Sequence, residues 1–265
     1  MPEFADLLYE VKDNTAWITL NRPEKLNAVT WSSWAEIETA IGLADADDDV
    51  RCVVITGAGR GFCSGTDLTA EPGPAEFPHP VTGRASLQRT RHLGPERVHR
   101  CRKPVIAAVN GVSAGAGLSL ALAADIRIAG ESARFSAIFA RRGISPDTGS
   151  TWFLPRLIGS DHALAMLWTG KMVSAPEAKA LGLVTEVVPD DALIERTTAL
   201  AASIAHGPSI AIEIAKRLVY DGATRDLVTQ VEHEQFLQQS THGTEDAKEG
   251  RLSFIERREP RFTGR

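Results

Sequence analysis

Residues 110–129 read NGVSAGAGLSLALAADIRIA, with small residues crowding the first half and no charge before Asp125. Just upstream, VIAAV at 105–109 is an unbroken apolar run that suits a strand buried on both faces, and DIRIA at 125–129 is a second. The glycines between them mark a tight turn, and the Leu/Ala stretch that follows reads as a helix starting near Gly115. The two strands are therefore expected to lie parallel, joined by a crossover. VRCVVIT at 50–56 reads as another strand of this kind, preceded by a helical stretch from Trp31 to Ala46. At the N-terminus, LLYEVKD and AWITL alternate apolar and polar residues around Asp13-Asn14, which predicts a hairpin. From about Asp190 the pattern turns helical, over 191–206, 209–220, 225–241 and 244–257, with glycines near the breaks. The expected fold is α/β, with residues 1–190 as a core and 191–265 as a helical region that covers it or mediates assembly.

The bulk properties exclude several function classes. A chain of 265 residues suits one large domain or a domain with an appendage, and a formal net charge of -5 disfavours a general nucleic-acid binder. No apolar run approaches the roughly 18 residues of a membrane span. The start, MPEFADLLYEVKD, lacks the basic and apolar segments of a secretory signal, so a cytoplasmic protein is expected. Cys52, Cys63 and Cys101 are scattered without a CxxC pair, which argues for reduced core thiols and against a zinc site, a redox motif or a disulfide framework. No metal site is expected. Between Arg84 and Lys103 there are seven Arg/Lys against one acid, Glu96; such a stretch either meets phosphates or forms a solvated helix face. Residues 70–83, with four prolines and two glycines, read as a mobile loop beside the candidate site.

Two glycine-rich turns follow buried strands: TGAGRGFCSGTDL at 56–68 and NGVSAGAGLSLAL at 110–122. Small side chains let a ligand reach main-chain N–H groups, and a helix starting near Gly115 would point unpaired N–H groups and its positive dipole end at an anion. Glycines serving only tight turns, with alanines for close packing, are the competing reading. The spacing at 57–61 is GxGxG, where a dinucleotide fingerprint needs GxGxxG, and neither turn ends in the GK[ST] of a P-loop.

In order and spacing, several segments resemble the crotonase, or enoyl-CoA hydratase/isomerase, superfamily over nearly the whole chain. They are NRPEKLNAVT (21–30), VVITGAGRGFCSGTDL (53–68), KPVIAAVNGVSAGAGLSLALAADIRIA (103–129), FSAIFARRGISPDTGSTWFLPRLIG (135–159), SAPEAKALGLVTEVVP (174–189) and FIERREPRFTGR (254–265). The resemblance implies a spiral of ββα units followed by helices that build trimers, often paired into hexamers. It also implies an acyl-CoA thioester substrate whose oxygen is held, as an enolate forms, by the N–H groups of Thr66 and Ala116. Loss of one such donor typically costs ~3 kcal/mol of barrier. CoA-binding positions carried over are Lys25, Leu26, Ala28, Ser64, Gly65, Asp67, Leu68 and Gly115. No separate cofactor is implied, since coenzyme A is part of the substrate.

The two glutamates that hydratases of this family use fall here at Ser119 and Phe139. A hydroxyl is a poor base near neutral pH and a phenyl ring is none, which points away from two-glutamate hydration. Asp147, in ISPDTGSTW, falls where some isomerases of the family carry an aspartate. One carboxylate is enough to move a double bond, although Asp147 also reads as a helix N-cap. The expected activity is enoyl-CoA isomerisation, with hydration, thioester hydrolysis or ring rearrangement as alternatives inside the family and acyl-CoA binding without turnover outside it. Asp67 reads as a loop-holding acid. His79, His92 and His99 read as solvated or substrate-proximal, and Phe139, Trp152 and Phe153 as acyl-pocket or core residues.

Overall fold

The computed structural model describes residues 3–70 and 94–265. It opens with the hairpin of β1 (Leu7–Lys12) and β2 (Thr15–Leu20), paired antiparallel from Leu7↔Leu20 to Lys12↔Thr15. Asp13 and Asn14 form the turn with φ of 48° and 58°, the positive-φ pair that matches strand twist and that Asp and Asn tolerate. After α1 (Trp31–Ala46), whose N-cap Thr30 accepts the Ser33 amide, come three successive strand–strand–helix units. These are β3 (Cys52–Gly57), β4 (Gly61–Cys63) and α2 (Gly94–His99); β5 (Val105–Val109), β6 (Val112–Ala114) and α3 (Ala116–Ala123); then β7 (Ile126–Gly130), β8 (Arg134–Ser136) and α4 (Ser150–Ile158). The remainder is α5 (Ser160–Thr169), β9 (Val173–Ser174), α6 (Ala175–Leu181), β10 (Glu186–Val188), α7 (Leu193–Ala205), α8 (Ser209–Gly222), α9 (Leu227–His242) and α10 (Glu245–Glu256).

The units divide their strands between two sheets. The first strands join a six-stranded sheet of order β1-β2-β3-β5-β7-β10, parallel except for the hairpin. The second strands join a smaller sheet, β4-β6-β8-β9, with only β9 antiparallel. This alternation is the ββα spiral, and it places two glycine turns side by side at the ends of β4 and β6.

Burial explains the composition of each layer. The central strand β3 feeds two cores: Val53 and Ile55 pack with Ile18, Ile37, Phe62, Leu118, Phe135 and Leu154, while Cys52 and Val54 meet α7 through Leu193, Ala201 and Ala205. A strand covered on both sides has no polar face, hence its unbroken apolar run. All eight residues of α3 are buried, so AGLSLALA shows no amphipathic pattern. The three cysteines are buried and unpaired, and burial pushes the Cys52 and Cys63 thiols up to about 12 and Cys101 up to about 11.

Beyond α7 the helices bury little apolar surface: Val219, Leu227, Val228, Phe236, Phe254 and Ile255 are all exposed. Polar anchors hold them instead. Asp125, beside the start of β7, accepts from the Val105 amide (2.7 Å), from Tyr220 Oη (2.7 Å) and from Lys216 Nζ (2.7 Å), which bolts α8 to the core. The chain end folds back on α10, where the buried Asp246 carboxylate accepts the Thr263 and Gly264 amides. Among the described residues no single helix is long and apolar enough to cross a membrane.

Candidate active site

Because β4 and β6 are parallel neighbours, their C-terminal ends deliver two turns to one place. The contact is backbone to backbone. A Cβ on Gly65 (φ +109°) would lie 3.0 Å from Ala114 O and 3.8 Å from Ala116 N, and one on Gly117 would lie 2.1 Å from Cys63 O. Glycine is required here by space as much as by conformation. The N–H groups of Thr66 and Ala116 are among those in these turns that have no hydrogen-bond partner among the described residues. Val29 N donates to Gly65 O and Asp67 N to Val29 O, so this bridge uses the Gly65 carbonyl and the Asp67 amide and leaves the Thr66 N–H, on the far side of the Gly65–Thr66 peptide, free. Ala116 is the first residue of α3, whose N-cap Gly115 has no side chain to offer, and its N–H has no intrahelical acceptor. Free N–H groups at adjoining turns, one of them at a helix start, can together receive an oxyanion.

The glycine-rich stretches that follow β3 and β5 each contain a short strand of the small sheet, Gly61–Cys63 and Val112–Ala114, so the turns that meet lie one strand beyond β3 and β5.

The segment 21–30 lines this place. Asn27, in left-handed conformation at φ 56°, donates to Ala58 O (2.9 Å) and Gly61 O (2.7 Å), while its Oδ1 accepts from Arg22 N (2.9 Å). Arg22 spans outward, donating to Ala28 O (2.6 Å) and to Asp67 Oδ2 (2.9 Å). Ser64 N donates to Leu26 O (3.0 Å) and Ser64 Oγ to Lys25 O (3.2 Å), with Lys25 Nζ 3.4 Å from Thr69 Oγ1. Leu26 is thus tied to Ser64 by a main-chain bond, Lys25 to Ser64 through the serine hydroxyl and Ala28 to Asp67 through the Arg22 guanidinium, and Leu68 next along is exposed. The hydroxyl and amide of Thr69, then the Arg22 guanidinium, hold the Asp67 carboxyl far below the usual carboxylate range. It is a fixed anion that clamps its loop. Arg22 and Asn27 were missed in the sequence, where nothing but an isolated arginine and asparagine in a turn-rich stretch marks them.

Asp147 lies on the exposed segment that leads into α4, with no hydrogen bond or ion pair to the described residues. It does not cap that helix: Gly149, at φ +91°, occupies the N-cap position and no side chain caps it. Its neighbour Thr148 donates from Oγ1 to Ser119 Oγ at 2.7 Å, joining this segment to α3. Ser119, at the first hydratase position, is fully buried and engaged, and Phe139, at the second, belongs to the hydrophobic core with Phe153. Trp152 is partly exposed on the same helix.

His99 stands in an aromatic cluster with ring centroids 4.3 Å from Tyr220, 5.1 Å from Trp152 and 5.4 Å from Phe153. Burial, reinforced by the nearby Lys216 charge, lowers its pKa. The cluster borders a groove of about 690 Å³ that also meets Arg100, Arg102, Glu213 and Arg217. Three cations in the described part of the basic stretch are engaged with protein: Arg100 with Glu96 (3.0 Å), Arg102 with Asp45, and the buried Lys103 with Ala44 O at 2.6 Å and Asp47 O, at the C-terminus of α1. Cations there complement the helix dipole, which explains Arg102 and Lys103 without a ligand. Residues 71–93, with Arg84, His79 and His92, lie outside the described residues.

Alternate strands shared between two sheets, with glycine turns meeting where the second strands end, define a crotonase-type fold. The chain belongs to the enoyl-CoA hydratase/isomerase family, whose model matches residues 10–265. It is 37% identical over the full length of both chains to the 1,2-epoxyphenylacetyl-CoA isomerase of Escherichia coli K12. It is 36% identical to the (E)-benzylidenesuccinyl-CoA hydratase of Thauera aromatica, over 96% of this chain and 98% of that one. Among solved structures, an enoyl-CoA hydratase from Bacillus anthracis superposes with a TM-score of 0.89 at 33% identity, covering 98% of this chain and 100% of the other.

Proposed function

We propose that this family member is a cytoplasmic acyl-CoA isomerase that shifts a double bond, with Asp147 as its single acid–base and the Thr66 and Ala116 N–H groups as its oxyanion donors. The observation that carries the reading is the pair of unpartnered N–H groups in adjoining turns, beside hydratase positions filled by Ser119 and Phe139. Asp147 removes a proton from C2 of a 3-enoyl-CoA, breaking the C–H bond. Negative charge spreads to the thioester oxygen, where the two N–H groups receive it. The same carboxyl then returns the proton to C4, and the product is the conjugated 2-enoyl thioester. Lys25, Leu26, Ala28, Ser64, Gly65, Asp67, Leu68 and Gly115 position coenzyme A, mostly through main chain. The three buried, unpaired thiols fit a reducing compartment.

The test is a product assay on 3-enoyl-CoA and 2-enoyl-CoA in parallel, with wild type and Asp147→Asn. Conversion of the first substrate only, and a loss of about 10²–10⁴ in kcat in the variant, is the expected result. Hydration of the second substrate at a comparable rate would overturn it. A ring-rearranging reaction on an aromatic acyl-CoA is the second reading, favoured by the full-length similarity to the E. coli isomerase. We further propose a trimer, or a hexamer of paired trimers, assembled through residues 191–265. The exposed Leu227, Val228, Phe236, Phe254 and Ile255 support it, and light scattering on the purified protein decides it, a monomer being the contrary outcome.

A further inference from the structure

Resting on the isomerase reading and deepening it, we propose that Thr148 and Ser119 are positioning residues, a two-hydroxyl latch that keeps the Gly115–Ala116 peptide turned with its N–H toward the substrate oxygen. The reason lies in that peptide's geometry. Gly115 has φ 52° and ψ -120°, the values of the first central residue of a type II′ turn. Rotation of the peptide plane that follows would exchange the directions of Gly115 C=O and Ala116 N–H, at the cost of the bond that Gly115 O accepts from the Ser119 amide. Since the peptide unit is planar, whatever fixes the carbonyl also fixes the N–H.

Gly115 O receives two donors, both from Ser119: the amide at 3.1 Å and Oγ at 3.4 Å. The hydroxyl contact is long, and a serine hydrogen rotates freely unless something directs it. Thr148 supplies that direction. Its Oγ1 donates to Ser119 Oγ at 2.7 Å, filling an acceptor site and leaving the serine hydrogen for Gly115 O. The result is a chain from Thr148 to Ser119 to the carbonyl of the peptide whose N–H is the proposed oxyanion donor, and successive bonds of this kind polarise one another. Ser119 is fully buried, which leaves no ready water to replace Thr148. On the other side, Gly115 N donates to Ser136 O at 2.9 Å. Asp147 is the residue before Thr148, so one mount carries both the carboxylate and the tie to the oxyanion donor.

The experiment compares wild type, Thr148→Val, Thr148→Ser and Ser119→Ala in two readouts. One is the carbonyl stretch of bound butyryl-CoA labelled with carbon-13 at the thioester carbon, which needs no turnover; the other is kcat on 3-enoyl-CoA. Thr148→Val is expected to reduce the downshift of the bound carbonyl and to lower kcat about tenfold, well short of the 10²–10³ for deleting a donor outright. Butyryl-CoA affinity stays within about twofold, and Thr148→Ser restores both signals. Ser119→Ala gives the same pattern, and adding Thr148→Val to it causes no further loss. A wild-type carbonyl shift and kcat in both Thr148→Val and Ser119→Ala would overturn the latch while leaving the isomerase reading intact. No carbonyl downshift in wild type would overturn the oxyanion reading itself, and the latch with it.

Discussion

Gly117 has no room for a methyl group, since a Cβ there would lie 2.1 Å from the carbonyl oxygen of Cys63. Gly117→Ala must push α3 away from β4, and the Thr66 and Ala116 amides separate with it. We expect a stability loss of about 1–3 kcal/mol, seen in denaturant unfolding, and a larger proportional fall in kcat than in butyryl-CoA affinity. His99 gives a second expectation at this scale. Its lowered pKa means that, below about pH 6.5, the unfolded chain binds more protons at this site than the folded one. Its contribution to stability is therefore complete above that pH and declines as pH falls toward the lower folded value. His99→Phe should flatten the dependence of unfolding free energy on pH below about 6.5, and an unchanged slope would show that this imidazole does not titrate as its burial requires.

At the scale of elements, long strands and the buried helix were legible and short strands were not. β3, β5 and β7 announce themselves as apolar runs, and the Asp13-Asn14 turn as a hairpin, because each lies in a stretch long enough to show its period. β4, β6 and β8 have three residues each, and Gly61-Phe62-Cys63 offers no alternation to read. Their strand character comes from the partner beside them, so the stretches that contain β4 and β6 read in the sequence as glycine-rich turns alone. Thr66 and Ala116 were placed by wording that resembles a family, while their free amides follow from a bridge and a helix start visible only in three dimensions. The same holds for Thr148. A threonine after Asp147 signals nothing in one dimension, and its bond to Ser119 exists because α4 packs against α3. Asp125, by contrast, closes an apolar run in plain sight, but two of its three partners, Lys216 and Tyr220, lie far downstream on α8. Asp125→Ala leaves Lys216 charged in a mostly buried position and strips the Val105 amide of its acceptor. A loss of about 3 kcal/mol in unfolding free energy is expected, with Asp125→Asn recovering part of it.

For the whole molecule, the division of labour follows burial. The two-sheet spiral and α7 form continuous cores, whereas α8, α9 and α10 contribute few buried side chains and hold on through polar contacts. Among those three helices the attachments are unequal. α8 is fixed by Lys216 and Tyr220 to a carboxylate that also serves the first amide of β5, so it cannot lift away without breaking into the central sheet's own hydrogen bonding. α10 is fastened chiefly by its own returning chain end. The helical region should accordingly open in two stages. In deuterium exchange on the dilute protein, amides of α9 and α10 should be labelled through a partial opening that spares α8, and amides of α8 should wait for the same event that releases β5 and β7.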